Sequence, residues 1–148
     1  MSSPGPVPFE TTLRVRDCCL CLHVQRAARS LARRFDEALR PSGLTNGQFS
    51  LMMSLNRPEP AGIASVATLL AMDRTTLTAA LKPLERRGLV KVVADHLDRR
   101  SRRLSLTPEG KTILAAAMPI WEKTHRDVEA FIKDTDLDDL RNSLRALS

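Results

Sequence analysis

The side chains best placed to do chemistry lie between positions 73 and 103, where nine lysines and arginines stand against four acids. Arg74, Thr75, Thr76, Thr78 and Lys82 form one close set. A guanidinium can fork onto two acceptors on guanine, and a threonine can bond a base edge or pack its methyl on thymine. Asp98, Arg99, Arg100, Arg102 and Arg103 form a second set, rich in the residue best suited to a narrow electronegative groove. The net charge of +6 is unevenly spread: +3 over residues 1–72, +5 over 73–103 and −2 over 104–148. Such a concentration fits phosphate neutralisation, and it also fits a solvated basic surface.

Other chemistries find less support. There is no phosphate-binding glycine loop, no His-Glu-x-x-His and no Ser/His/Asp arrangement, so no enzyme is indicated and no cofactor is expected. The chain has one tryptophan, four phenylalanines and no tyrosine, too few for an aromatic platform that stacks single-stranded bases. Cys18, Cys19 and Cys21 lack a second ligand pair at zinc-finger spacing, so no metal is expected. Nor do they make a secreted disulfide framework, which points to a reducing cytoplasm. No apolar run is long enough for a membrane span. Residues 1–10 read as a disordered tail.

These side chains need elements to hold them. Leu20, Val24, Leu31, Phe35 and Leu39 recur at helical spacing and predict a first helix over about 13–39, ended by Pro41 and Gly43. Thr45 with Gln48 predicts a capping box opening a second helix through Phe49, Met52 and Leu55. A third helix covers about 63–70, and Ala71-Met72-Asp73 is a turn. A fourth helix follows, with Asp73 as N-cap, Leu77 plugging the core and Gly88 at the C-cap position. The period then changes, and residues 89–93 and 101–106 read as a hairpin around a charged loop. Thr107-Pro108-Glu109 opens a long helix to about Lys133, with Pro119 expected to bend it, and Asp136 opens a last one. The fold class is mainly α with a small β-hairpin wing: a winged helix-turn-helix flanked by helices. Such a unit places its second helix in the major groove of duplex DNA. The alternatives are a helical module meeting an acidic protein, or a pair of helices and a hairpin that bind nothing.

The chain resembles the MarR family of bacterial regulators through Gly43-Leu44-Thr45 with Gln48-Phe49, Asp73-Arg74-Thr75-Thr76-Leu77-Thr78, and Leu84-Glu85-Arg86-Arg87-Gly88-Leu89-Val90. The wing Asp95-His96-Leu97-Asp98-Arg99-Arg100-Ser101, followed by Leu104-Ser105-Leu106-Thr107-Pro108-Glu109-Gly110, completes the likeness. The resemblance implies a transcription regulator, usually a repressor, that binds a palindromic operator as a homodimer. It implies a single domain over 11–148, with dimerisation helices at about 11–40 and 108–148 around a winged helix-turn-helix at about 44–107. Thr75, Thr76 and Thr78 are then expected at bases, and Asp98 and Arg100 match the wing pattern in which the acid positions the arginine. Two residues depart from the pattern. Ala71 stands where glycine is commoner, and Pro83 interrupts the recognition helix. The leucine and β-branched stripes of the end helices argue independently for a dimer, because one small domain cannot cover them.

The resemblance also implies release by a small aromatic or acyl effector, or by an oxidant. Cys21 stands at a distance from Gly43 similar to that of the reactive cysteine in the hydroperoxide-sensing branch. The tyrosines of that branch are replaced by Gln25, Phe35 and Asn46. The cysteines read more readily as small packed hydrophobes. His23 faces either an effector cleft or ordinary packing, and His96 and His125 have no partner recognisable from sequence.

Overall fold

A computed structural model describes residues 4–148 and divides the chain into two compact units, Met1–Arg34 and Phe35–Ser148.

In the first unit, residues 4–8 form no helix or strand, and α1 (Phe9–Cys18) begins two residues inside the expected tail; residues 1–3 of that tail lie outside the described residues. The single helix expected over 13–39 is two helices, α1 and α2 (Leu20–Leu39), parted at Cys19 by an extended backbone, φ −70° and ψ 108°. The Cys19 side chain explains the break. Its Sγ accepts from the Leu22 amide at 3.5 Å, as a hydroxyl does at an ordinary N-cap. Apolar periodicity cannot register a break one residue long. No residue of α1 is buried, and Leu39 is the only buried residue of α2.

The second unit follows the expected order. A 3₁₀ turn (Arg40–Ser42) ends at Gly43, whose φ of 75° is left-handed. Helix α3 (Asn46–Ser54) opens with the full capping box: Thr45 Oγ1 accepts from the Gln48 amide and Gln48 Oε1 from the Thr45 amide. Helices α4 (Ile63–Leu69) and α5 (Arg74–Arg86) form the helix-turn-helix pair. Strands β2 (Val90–Ala94) and β3 (Arg102–Leu106) form the hairpin, antiparallel with Val90 opposite Leu106 and Ala94 opposite Arg102. The short β1 (Ala61–Gly62) pairs with the other edge of β3, giving the order β1-β3-β2. Two residues flanked by prolines and acids carry no strand signal of their own; the exposed edge of β3 creates this one.

Helix α6 (Pro108–Glu129) runs through Pro119 and stops four residues short of the expected Lys133. Its last amides, Phe131 and Ile132, bond carbonyls three residues back, at Val128 and Glu129, which tightens and ends the helix. Helix α7 (Leu137–Ala146) has Asp136 as N-cap, its carboxylate accepting from the Asp139 amide at 3.0 Å. The core gathers Leu39, Met52, Val66, Leu77, Leu84 and Leu104, all fully buried. Leu77 and Leu84, two turns apart on α5, pin that helix to the core and leave its opposite face to solvent.

Candidate nucleic-acid interface

Two turns of like geometry frame α5. After α4, the amide of Ala71 bonds Thr68 O and that of Met72 bonds Ala67 O. After α5, the amide of Gly88 bonds Glu85 O and that of Leu89 bonds Leu84 O. Both patterns are Schellman caps, which need a left-handed residue just past the helix. Gly88 adopts φ 72° freely, and Ala71 is held at φ 52°. Alanine therefore keeps the left-handed turn between the two helices, at a cost in strain.

Asp73 starts α5. Its carboxylate accepts from the Thr76 amide at 2.7 Å and from the Thr76 hydroxyl at 2.8 Å. The amide bond first, and the hydroxyl bond second, hold the Asp73 carboxyl below its ordinary pKa. Thr76 thus spends its hydroxyl hydrogen on the cap and keeps lone pairs and its methyl outward. Arg74, Thr75, Thr78 and Lys82 line one open concave face of α5 together with Ala79. Helix α5 continues through Pro83, and the Arg87 amide bonds Pro83 O at 3.1 Å. Arg87 Nη1 also donates to Gly43 O at 2.8 Å, which ties the far end of α5 to the turn before α3.

The wing is braced where its strands meet the loop and ordered at its tip. Arg103 Nε donates to Asp95 Oδ2 at 3.0 Å and its Nη1 to Pro60 O at 3.2 Å, so Arg103 braces the hairpin. Asp95 also accepts from the Leu97 amide at 2.9 Å. That bond chiefly, with the Arg103 charge behind it, lowers the Asp95 pKa. Asp98 Oδ1 accepts from the Arg100 amide at 3.0 Å, so the acid fixes the backbone from which Arg100 projects. The Ser101 amide closes the turn onto Asp98 O at 2.9 Å, and Arg102 Nη1 folds back onto Arg99 O at 2.9 Å. Arg99, Arg100 and Arg102 are all exposed.

The wing's other end is fastened to α6. Thr107 Oγ1 donates to Gly88 O at 2.6 Å and accepts from the Gly110 amide at 3.0 Å. Gly110 lies against Leu89, the residue before β2: a Cβ on it would fall 2.1 Å from Leu89 O.

A groove of about 420 Å³ opens between α3, α4 and α6, lined by Phe49, Met53, Leu69, Leu70, Met118 and Trp121. A smaller hollow of about 220 Å³ shares Phe49 and Trp121 and reaches Asn46 and His125. The rings of Phe49 and Trp121 stack at 6.0 Å, and Trp121 stacks on His125 at 4.6 Å. His125, without a recognisable partner in the sequence, also pairs with Glu129 at 3.3 Å, and Arg141 of α7 reaches the same carboxylate. Asp36 Oδ1 accepts from the Asn46 amide and then from Asn46 Nδ2, both at 2.7 Å, and these bonds lower the Asp36 pKa in that order. The sequence places Phe49 on this helix but gives no sign of the groove. A groove is a property of three helices, and the exposed Leu69 and Met53 stand along it.

In the first unit, Cys18 and Cys21 are exposed and Cys19 half-buried. Gln25 Nε2 donates to Cys21 Sγ at 3.3 Å, and His23 Nδ1 hydrogen-bonds Cys19 O at 2.8 Å. Among the described residues no cluster of His, Cys, Asp or Glu could hold a metal ion, and no helix is long and apolar enough to cross a membrane.

Known proteins share this arrangement. The MarR family profile matches residues 44–101. The HTH-type transcriptional regulator SarZ of Staphylococcus haemolyticus is 27% identical over 126 residues, 85% of this chain and 84% of SarZ. The M. tuberculosis transcriptional regulator MosR, solved in complex with DNA, is 37% identical with a TM-score of 0.80, across 87% of this chain and 92% of MosR. The transcriptional repressor CouR, solved on a 23-mer DNA duplex, is 28% identical with a TM-score of 0.70, across 90% of this chain and 92% of CouR. With the helix-turn-helix, the wing and these likenesses in agreement, the chain belongs to the MarR family of DNA-binding transcription regulators.

Proposed function

We propose that the chain is a repressor that binds a palindromic operator as a homodimer, with α5 in the major groove and the wing in the adjoining minor groove. The outward face of α5 carries this reading. It sets Arg74, Thr75, Thr78 and Lys82 side by side while Leu77 and Leu84 hold the opposite face in the core. Thr75 and Thr78 read bases, Arg74 forks onto a guanine, and Lys82 neutralises phosphate. Thr76 contributes its methyl and lone pairs. Arg100 enters the minor groove from a backbone fixed by Asp98, with Arg99 and Arg102 on the flanking phosphates.

A salt titration of duplex binding tests this. Log affinity falls steeply with log salt when several phosphates are contacted. Arg100→Ala lowers affinity and leaves the urea midpoint unchanged. Unchanged affinity in that variant overturns the wing assignment.

For the effector, the apolar groove between α3, α4 and α6 fits a flat aromatic or acyl group. Its floor ends at Leu69 and Leu70, next to the strained Ala71 turn, so an occupant pressing on α4 acts on the pivot of α5. The methionines at its walls adapt to varied shapes. The second reading is thiol sensing at Cys21, favoured by its exposure and by the Gln25 amide on its sulfur. Cumene hydroperoxide releases DNA from the wild type and not from Cys21→Ser if this reading holds; aromatic acids release both if the groove is the sensor.

A further inference from the structure

We infer that Leu97, at the tip of the wing, is a specificity-determining residue that selects A·T over G·C pairs through the minor groove. Leu97 is 95% exposed, the most exposed large hydrophobic side chain among the described residues. The loop's hydrogen bond to this residue comes from its amide, which donates to Asp95 Oδ1 at 2.9 Å, so any residue but proline makes the same bond. The tip does not collapse to hide it. Asp95, Asp98 and the Ser101–Asp98 turn fix the backbone on both sides. Asp98 follows Leu97, but across residues 95–103 four arginines stand against two aspartates, and both acids accept from backbone amides, so the net positive tip directs this leucine toward a polyanion.

This role requires the proposed seat of the wing in the minor groove. A·T and T·A pairs present only acceptors on the floor of that groove, whereas G·C raises an amino donor. A leucine offers no acceptor. Pressed against guanine, it strips water from that amino group and gives nothing back. Against A·T it meets no donor and packs on the sugar walls. Narrow A·T-rich grooves also attract arginine electrostatically. Leu97 and Arg100 therefore favour the same sequences by two independent forces, one steric and solvational, the other electrostatic.

The test uses the full-length chain and duplexes selected by it from a random pool. Hydroxyl-radical footprinting locates the minor-groove protection. Adenines there are replaced by 2,6-diaminopurine, which adds only the minor-groove amino group. The wild type should lose roughly tenfold in affinity, the ordinary scale of one mismatched pair. Leu97→Ser should lose less than about threefold, and Leu97→Met should behave as wild type. Leu97→Ser should also keep the wild-type salt slope, because no phosphate contact is lost, whereas Arg99→Ala lowers the slope by about one. An equal diaminopurine penalty in Leu97→Ser and wild type overturns the role of Leu97 and leaves the wing where it is. Absence of minor-groove protection overturns this inference together with the wing's placement.

Discussion

Single residues decide how α5 is aimed, and two of them carry opposite signs. Ala71 sits at φ 52° in a turn whose hydrogen bonds match those around Gly88 at φ 72°. A left-handed alanine costs about 1–2 kcal/mol, part of which glycine returns through its freer unfolded chain. Ala71→Gly should therefore stabilise the protein by about 0.5–1 kcal/mol, measured as a higher urea midpoint at unchanged slope. Asp73 acts the other way, holding the first turn of α5 through the Thr76 amide and hydroxyl. Its pKa in the folded chain is lowered, as are those of Asp36 and Asp95. A carboxylate with a depressed folded pKa contributes stability above its unfolded value and loses it as pH falls through the folded one. Stability should thus be level from neutrality to about pH 5 and decline below about pH 4. Asp73→Asn should flatten part of that decline, and an unaltered acid profile would remove Asp73 from the account.

At the scale of elements, the sequence was legible wherever a local chemical rule applied, and opaque where contacts were distant. The capping box at Thr45, the N-caps at Asp73, Thr107 and Asp136 and the left-handed Gly88 each depend on two or three neighbouring residues, and each forms. The alternation of the wing strands and Leu77 as the plug of α5 were legible for the same reason. The break at Cys19 was hidden because a thiol there replaces the usual capping hydroxyl. Strand β1 was hidden because β3, forty residues away, supplies its hydrogen bonds. The basic face of α5 could be read from helical spacing alone. The Phe49–Trp121–His125 stack could not, since it needs α3 and α6 brought together. Gly110 belongs to this second kind. It looks like a helix-start glycine, yet it stands against Leu89 O with no room for a methyl group. Gly110→Ala forces the start of α6 away from β2 and strains the Thr107 bonds that fasten wing to helix. It should cost about 2–3 kcal/mol, as overpacking does, and lower DNA affinity beyond what the unfolded fraction explains. Full activity and an unchanged urea midpoint would show that the α6 start is free to shift.

For the whole molecule, the end helices leave apolar rows that a second surface must cover. No residue of α1 or α7 is buried, and α7 is strongly amphipathic. In the first unit Val15, Leu20, Val24 and Leu31 are exposed; in the second, Leu144 and Leu147 are exposed at 46% and 61%. A chain this charged does not hold such rows open to water without a partner. The proposed homodimer covers them with the same rows of a second copy. It also sets two α5 helices about 34 Å apart, one turn of duplex. The C-terminal helices fit this arrangement, since residues 104–148 carry −2 while the +5 lies on residues 73–103. Leu144→Asp places a carboxylate in the proposed interface and is exposed in the single chain, so it should leave each subunit folded. Light scattering should then show about half the wild-type mass. Operator affinity should fall by roughly a hundredfold or more as two half-sites lose their linkage, with half-site binding retained. A variant that keeps wild-type mass and affinity would place the dimer contact elsewhere, and a wild type that runs as a monomer on a palindrome would remove the two-fold reading altogether.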